Sequence, residues 1–386
     1  MRSFSLPRDF GVPFSARAAA RAARDIACDA VVYLSNFENH PSAVRSLAAD
    51  RRLLGNPPDV LRRVRNPLEL ASALTGRGFT VPAIRTNHAK ENEAGTGPKD
   101  WLVKPLRSGG GHGVARWERG ARVPRGFCVQ ERIDGTPASV VFVAAGGRAV
   151  PLGITRQLIG DPAFGADGYR YCGNILDAGG ADDSLEQAAV ASLVRAVAEE
   201  FDLIGLNGID FIAQHSAPHP IEVNPRWCSS MELVEDAHSL PLFQMHVDAC
   251  MNGVLPAGPP RADPSARRDP PYVRDVEPRR TRRAFGKAIV FAREDVVAGD
   301  TREWLENPAI RDVPHPGEHI GTGRPVCTVL AGADTAAACY DRLVRAAECV
   351  YADLGRSNKL IGRGTALHHE RGPHDQAGPA HQRGER

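Results

Sequence analysis

The stretch from Asn207 to Arg226, which reads NGIDFIAQHSAPHPIEVNPR, restricts the fold more than any other part of the chain. Two short apolar runs, Ile209–Ile212 and Ile221–Val223, flank a polar turn rich in His, Ser and Pro. This pattern predicts a β-hairpin or two neighbouring strands. Because side chains alternate between the two faces of a strand, Glu222 and Asn224 would project from the same face.

Asp210 lies between apolar residues in the first predicted strand, so its side chain is expected to be partly buried. Two carboxylates and an amide oxygen are costly to desolvate together unless a cation holds them. Hard oxygen donors suit Mg²⁺, which binds through one or two carboxylates together with waters and phosphate oxygens. The alternative is a hairpin whose polar residues simply face water.

A second informative stretch, Asp100–Val114, reads DWLVKPLRSGGGHGV. The apolar run at Trp101–Val103 predicts a strand that ends at Lys104, and Ser108–Gly113 contains four glycines in six residues. Glycines let backbone N–H groups turn inward around phosphate oxygens, and a lysine at the strand end adds a point charge for the same phosphates. An ordinary glycine-rich turn with an edge lysine is the alternative interpretation.

Composition narrows the class of protein. The chain has 386 residues, with 48 basic against 46 acidic side chains, and this balance gives no case for nucleic acid or a membrane surface as a partner. Eight scattered cysteines contain no C-x-x-C pair, which argues against a zinc site or a disulfide framework. No apolar run reaches about 18 residues. We therefore expect a cytoplasmic protein.

Other parts of the chain predict its order of elements. Ala30–Leu34 is the first strand candidate, and a helix is expected from Pro41. Phe127–Ile133, Ser139–Val143 and Ala149–Ile154 predict strands, with Thr155 and Arg156 directly after the last. The glycine-rich residues 159–182 predict a long loop, in which Arg170, Tyr171 and Asn174 are candidates for substrate contacts. Near the C-terminus, a helix capped by Asp334 is expected to run to Leu354.

The combination of these motifs resembles the ATP-grasp superfamily over roughly residues 60–250. The motifs are the strand-end lysine with its glycine loop, the QERIDG strand end, the acidic strand and the EVNPR element. Residues 312–330, DVPHPGEHIGTGRPVCTVL, also resemble the C-terminal region of predicted ATP-dependent carboligases related to biotin carboxylase.

The resemblance implies an α+β chain with an ATP-grasp fold, in which two α/β subdomains grip ATP. We expect a shortened Rossmann-like pre-ATP-grasp domain at 1–60, the ATP-grasp domain at 61–253 and a linker or surface loop at 254–283. A small α/β region at 284–357 and a disordered tail at 358–386 would follow.

The resemblance also assigns roles to residues. Lys104 would contact the α/β phosphates, and the loop from Ser108 through Gly109, Gly110, Gly111 and Gly113 would cover the β/γ phosphates. Gln130, Glu131 and Ile133 would belong to the adenine hinge. Asp210, Glu222 and Asn224 would hold one or two Mg²⁺ (or Mn²⁺) ions. Arg226 would meet the γ-phosphate or the acyl-phosphate, and Arg156 is a second candidate for that anion.

The chain departs from the family pattern in two places. Family members usually carry a second nucleotide lysine before the glycine-loop strand, whereas no lysine lies upstream of Lys90 here, and Arg65 is the best substitute. One early strand of the N-terminal domain is missing, which leaves substrate binding by that domain in doubt. We expect a helix within residues 12–27, or a second subunit in a homodimer, to cover Val31, Val32 and Leu34.

The implied chemistry is ATP- and Mg²⁺-dependent activation of a small-molecule carboxylate as an acyl-phosphate, followed by attack of an amine or a similar nucleophile. Two alternatives remain open on the sequence. One is a biotin-carboxylase-like reaction with bicarbonate, although the chain has no AMKM biotin-attachment segment. The other is a non-catalytic ATP-binding protein with the same fold.

Overall fold

The computed structural model describes residues 4–86, 100–118, 120–177, 187–259 and 284–366, with side chains of the last helix described up to residue 356. The end of the predicted loop at 159–182, most of the predicted linker and the tail beyond residue 366 therefore lie outside the described residues. In the described part of the chain, no helix is long and apolar enough to cross a membrane.

The N-terminal module contains one short parallel strand pair. Its elements are α1 (Leu6–Phe10), α2 (Ala16–Ala22), β1 (Ala30–Val31), α3 (Pro41–Leu47) and β2 (Arg52–Leu53), and β1 pairs with β2. Ala16 and Ala20 are buried in one cluster with Tyr33 and Val44, against which Val31 also packs. The prediction that a helix from residues 12–27 covers this strand is confirmed for Val31, whereas Val32 and Leu34 remain exposed.

Two helices and a small antiparallel sheet follow. They are α4 (Pro58–Val64), α5 (Pro67–Gly76), β3 (Ile84–Arg85), β4 (Trp101–Pro105), β5 (Ala115–Arg116) and β6 (Phe127–Glu131). The strands lie in the order β3-β6-β4-β5. The backbone between β6 and the next strand leads directly into a second, larger sheet.

The larger sheet has eight strands in the order β11-β10-β7-β8-β9-β12-β16-β14, with antiparallel neighbours throughout. Its members are β7 (Thr136–Ala145), β8 (Arg148–Ile159), β9 (Tyr171–Asp177), β10 (Gly205–Gln214), β11 (Ala217–Asn224), β12 (Ala284–Phe291), β14 (Ile310–Arg311) and β16 (Pro325–Ala333). The short strands β13 (Val296–Val297) and β15 (His319–Ile320) pair separately.

Helices cover both faces of the large sheet. They are α6 (Gln187–Phe201), α7 (Met231–His238), α8 (Leu242–Asn252), α9 (Arg302–Glu306) and α10 (Ala336–Ala366). Val140 and Phe142 pack in the cluster that contains α6, whereas Val141 and Val143 pack in the cluster of α7 and α8. By the same alternation, Ser139 lies on the face of α7 and α8, at the end of β7 that pairs with Asp210. This end of the sheet carries the candidate site.

The predicted loop at 159–182 is correct for residues 160–170, which connect β8 and β9, but wrong at Ile159, which ends β8, and at Tyr171–Asp177, which forms the central strand β9. Glycines in this stretch suggested a turn. Gly173 instead allows β9 to pack closely against β12, because a Cβ at this position would lie 2.1 Å from the carbonyl oxygen of Lys287 on β12.

The C-terminal helix also differs from its prediction. Thr335, not Asp334, caps it, because the Thr335 Oγ1 accepts a hydrogen bond from the backbone N–H of Ala338. The helix passes Gly355 and continues to Ala366, so the predicted tail at 358–386 begins with helical residues. Its inward face buries Leu343, Ala347 and Val350.

Candidate functional site

The β10–β11 hairpin places the predicted polar side chains side by side. Asp210 lies directly opposite Glu222 in the strand register, and Gly208 lies opposite Asn224. The Asn224 Nδ2 donates to the Asp210 Oδ2 at 2.9 Å. The hairpin predicted from the apolar runs is therefore confirmed, and it brings the two carboxylates and the amide together.

Asp210 is held by the neighbouring strands. The Gln157 Nε2 on β8 donates to the Asp210 Oδ1 at 3.0 Å, and the Ser139 hydroxyl on β7 also bonds this carboxylate. Burial, followed by the charge of Glu222, raises the pKa of Asp210 above its ordinary value. Two partly buried carboxylates on directly opposite strand positions favour a cation between them.

Glu222 has a cationic partner from the end of α4. The Arg65 Nη1 lies 3.0 Å from the Glu222 Oε1, and Arg65 also donates to the backbone oxygens of Val223 at 2.9 Å and Ser108 at 3.2 Å. Burial would raise the pKa of Glu222, but the charges of Arg65 and Lys104 outweigh it and the net shift is downward. Arg65 thus lies in the site.

Arg226 belongs to the same network. Its Nη2 donates to the Asn224 Oδ1 at 3.2 Å. Its Nε and Nη2 both donate to the Glu38 Oε1, at 3.0 and 2.9 Å. The adjacent Cys228 is not poised as a nucleophile, because burial raises the pKa of its thiol to about 12.

Lys104 and Gln130 lie in the cleft between the two sheets. The Lys104 Nζ donates to the Gln130 Oε1 at 3.0 Å, from neighbouring strands β4 and β6. The cleft measures about 420 Å³, including space open to solvent, and is also lined by Arg65 and Glu222. Its remaining walls are largely apolar, with Val64, Leu70, Leu106 and Val223 among them. This shape would suit a ligand with a flat ring, which would lie between the apolar walls, and a charged tail, which would reach toward the cations.

The glycine loop is tied to the large sheet and to Arg65. Gly110, Gly111 and Gly113 all have positive φ angles, which glycine adopts without strain. The Gly110 carbonyl accepts from the backbone N–H of Tyr171 at 3.1 Å. A Cβ on Gly111 would lie 1.8 Å from the Tyr169 carbonyl oxygen, whereas a Cβ on Gly109 would meet nothing within 4 Å. The loop therefore lies across the start of β9.

The residues predicted as an adenine hinge lie where the chain passes from the small sheet to the large one. β6 ends at Glu131, whose backbone N–H donates to the Ala83 carbonyl at 2.8 Å and whose Oε2 accepts from the Ala83 N–H at 3.0 Å. Ile133 is half-buried in the connection that follows. The structure thus places these residues at the junction of the two sheets.

Among the other sequence candidates, Arg156 and Arg170 are not brought to the carboxylates, whereas Asn174 lies opposite Gln157 in the strand register. Arg156 lies inside β8, and its neighbour Gln157 is the residue that contacts Asp210, so Arg156 points to the opposite face. Its side chain is exposed. Arg170 donates to the Gly323 carbonyl at 2.6 Å and lies over the Phe291 ring, away from the hairpin. Asn174 is buried and donates to the Thr155 Oγ1 at 2.7 Å, and Tyr171 bonds Asn174.

Sequence reasoning missed several contacting residues, including Asn39 beside Arg65. Gln157 and Ser139 reach Asp210 from neighbouring strands, and Glu38 reaches Arg226 from the N-terminal module. Gln157 could have been identified because it lies two residues after Thr155, and residues two apart on a strand project from the same face. No local signal marks Glu38, because it lies in a polar segment between β1 and α3.

The donor set is compatible with a hard divalent cation. In the ranges that the structure describes, no group of three or more His, Cys, Asp or Glu side chains could hold a metal ion. The hairpin instead offers two facing carboxylates and one amide oxygen. Such a partial shell fits Mg²⁺ or Mn²⁺, which complete their coordination with waters and phosphate oxygens.

Comparison with known proteins identifies the fold. Residues 64–230 match the model of the ATP-grasp domain. A curated relative, an uncharacterized protein of Methanocaldococcus jannaschii, is 26% identical over 135 residues, which are 35% of this chain and 28% of the relative. The match thus spans less than a third of that relative's length.

Three solved structures are similar in fold. L-amino acid ligase from Bacillus licheniformis has a TM-score of 0.61 and 16% identity over 86% of this chain and 83% of its own. The second is the biotin carboxylase domain of 2-oxoglutarate carboxylase from Hydrogenobacter thermophilus, crystallised as a dimer with MgADP, ADP and bicarbonate. It has a TM-score of 0.61 and 13% identity, over 85% of this chain and 75% of its own.

N5-carboxyaminoimidazole ribonucleotide synthetase from Thermus thermophilus has a TM-score of 0.58 and 20% identity, over 85% of this chain and 83% of its own. At these identities the three likenesses concern the fold alone. They agree with the domain match and with the two sheets that enclose the cleft. The chain therefore carries an ATP-grasp domain over residues 64–230.

Proposed function

We propose that this protein is an ATP- and Mg²⁺-dependent carboxylate–amine ligase, which activates a small-molecule carboxylate as an acyl-phosphate for attack by an amine or a similar nucleophile. The observation that carries the proposal is the convergence of three cations on the Asp210, Glu222 and Asn224 set, of which Arg65, Lys104 and Glu222 line the cleft. The cations are Lys104, Arg65 and Arg226. Phosphoryl transfer requires this kind of charge neutralisation more than covalent chemistry.

Each part of the network has a role in this proposal. The adenine ring lies between the apolar walls near Gln130, and Lys104 neutralises the α/β phosphates. The glycine loop covers the β/γ phosphates, and Arg226 faces the γ-phosphate. Asp210, Glu222 and Asn224 would hold Mg²⁺, which would withdraw negative charge from the phosphates when bound.

The reaction proceeds in two steps. An oxygen of the substrate carboxylate bonds to the γ-phosphorus as the bond from that phosphorus to the β–γ bridging oxygen breaks, and ADP leaves. The amine then bonds to the acyl carbon, the bond from that carbon to the phosphate oxygen breaks, and a proton and inorganic phosphate are released. Arg226 and Lys104 stabilise the transferred charge without a change of protonation, because neither step needs them to donate a proton.

A screen for ADP release tests the function. The protein is incubated with MgATP and pooled carboxylic acids, with hydroxylamine as a generic nucleophile so that the natural amine is not needed. We expect ADP and a hydroxamate to form in equal amounts, and only with particular acids. ADP release that depends on bicarbonate alone would favour the carboxylase reaction, and binding of MgATP without turnover on any pool would favour the non-catalytic alternative.

The glycine loop gives a sharp test of nucleotide contact. Gly111→Ala places a Cβ at a positive φ and 1.8 Å from the Tyr169 carbonyl oxygen, so the loop must leave its position on β9. We expect MgATP affinity to fall about tenfold or more, which corresponds to about 1.4 kcal/mol. Gly109→Ala is the matched control, since its Cβ meets nothing within 4 Å, and it should change the affinity by less than about twofold. Equal affinities for the two variants, measured by calorimetry, would contradict the loop's role.

We also propose a second copy of this chain as a partner. Seven of the twelve large hydrophobic side chains that are exposed in the described part of the chain lie between Phe4 and Leu34, around the short parallel strand pair. We expect a dimer at micromolar concentration by light scattering after gel filtration. Phe14→Glu combined with Leu34→Glu, at 63% and 57% exposure, should give a folded monomer. A wild-type monomer would contradict this proposal.

A further inference from the structure

The turn at Phe37–Asn39 in the N-terminal module contacts two arginines of the candidate site with two consecutive side chains. The Glu38 Oε1 accepts from the Nε and Nη2 of Arg226, and the Asn39 Oδ1 accepts from the Nε and Nη2 of Arg65 at 3.2 and 3.1 Å. Glu38 is 1% exposed and Asn39 is 4% exposed. A module that is separate in sequence thus contacts two arginines of the candidate site.

The contact to Arg226 fixes the direction of its guanidinium. One edge of the group, formed by Nε and Nη2, is held on a single carboxylate oxygen, while its Nη1 donates to the Trp227 carbonyl at 2.9 Å. The Nη2 then has Asn224 as its other partner. Charge-assisted hydrogen bonds of this kind are stronger and more directional than neutral ones. Glu38 is therefore one contact away from the proposed metal donors.

In a purely structural ion pair, every buried polar atom of both partners would be expected to have a hydrogen-bond partner. Within the described residues, however, the Glu38 Oε2 and the Asn39 Nδ2 are buried and have no hydrogen-bond partner. Buried unsatisfied polar atoms are rare and costly, and they concentrate where a function retains them. The incomplete satisfaction of this turn argues for a role beyond holding the module in place.

We infer that Glu38 is a positioning residue for Arg226, so that the N-terminal module forms part of the phosphate site. This inference rests on the proposed function, in which Arg226 faces the γ-phosphate. Loss of the Glu38 charge should leave Arg226 free to turn away, and the effect should concern ATP and not ADP, because ADP has no γ-phosphate.

The test compares nucleotide affinities of the full chain by calorimetry. In Glu38→Gln we expect the dissociation constant for MgATP to rise about tenfold or more relative to that for MgADP. Glu38→Asp keeps the charge but shortens its reach, so the same ratio should shift in the same direction by a smaller factor. It replaces the first variant if Glu38→Gln does not fold.

Tyr33→Phe is the matched control. The Tyr33 hydroxyl ties the same module to the core through the carbonyls of Asn56 at 2.9 Å and Pro225 at 3.2 Å, without touching either arginine. The control should leave the ratio of the dissociation constants for MgATP and MgADP unchanged. A ratio in the Glu38 variants within about twofold of the wild type, or an equal shift in Tyr33→Phe, would overturn the inference. Failure of the wild type to bind MgATP would instead contradict the proposed function.

Discussion

Glu222→Gln is expected to lower turnover by about 10²–10³-fold, the loss that removal of one electrostatic stabiliser typically produces. The substitution keeps the shape of the side chain but removes a charge from the proposed magnesium set. Affinity for MgATP should fall more than affinity for metal-free ATP, because only the first uses the carboxylate as a metal ligand. Calorimetry with and without Mg²⁺ measures both quantities on one protein preparation.

The alternative role of Glu222 is to hold Arg65, whose Nη1 lies 3.0 Å away. Asp210→Asn separates the two roles, because Asp210 bonds Gln157 and Asn224 and leaves the Arg65 pair intact. We expect the same loss of magnesium-dependent affinity in this variant. Equal weakening of MgATP and metal-free ATP in Glu222→Gln, with no loss in Asp210→Asn, would assign Glu222 to the support of Arg65.

Lys104→Met is expected to lose about 100-fold or more in ATP affinity while the protein folds as before. The hydrogen bond of Lys104 goes to the neutral Gln130 amide at 3.0 Å rather than to a carboxylate, so its loss should cost at most about 1.5–3 kcal/mol of stability. Its charge is thus available to the phosphates of a nucleotide in the cleft. Thermal unfolding without ATP measures the stability, and calorimetry measures the affinity.

A structural role for Lys104 predicts the reverse pattern. Breaking a buried ion pair by removing one partner destabilises a protein by about 3–5 kcal/mol. A loss of this size in the absence of ATP, together with unchanged nucleotide affinity, would show that Lys104 supports the fold. Arg77→Met is a useful reference, because Arg77 pairs with Glu199 and Glu200 on the surface of α6, where ion pairs contribute little.

The central hairpin was predictable because its signals are local. Apolar alternation defines β10 and β11, and the same alternation assigns Glu222 and Asn224 to one face. Lys104 and the glycine loop follow from a strand end and a cluster of glycines, which also need no knowledge of distant residues. The structure adds the pairing of Asp210 with Glu222, which places the three donors within one site.

The contacts of Glu38 and Arg156 were not predictable in this way. Glu38 lies in a polar segment, and only tertiary packing brings it to a residue 188 positions later. Arg156 was expected just after a strand, whereas β8 continues to Ile159 because β9 pairs along its far end. A strand of mixed polarity, YCGNILD, lacks the apolar signal that would have revealed β9, since Asn174 is satisfied inside the sheet by Thr155.

The isotope content of the inorganic phosphate tests carboxylate activation most directly. An acid identified by its ADP release is labelled with ¹⁸O in both carboxylate oxygens and incubated with MgATP and the amine or hydroxylamine, and the phosphate is analysed by mass spectrometry. The proposed acyl-phosphate predicts one ¹⁸O atom in each phosphate formed, because the carboxylate oxygen that bonds to phosphorus leaves with it. Phosphate without ¹⁸O, formed in step with ADP, would show transfer to water and contradict the proposal.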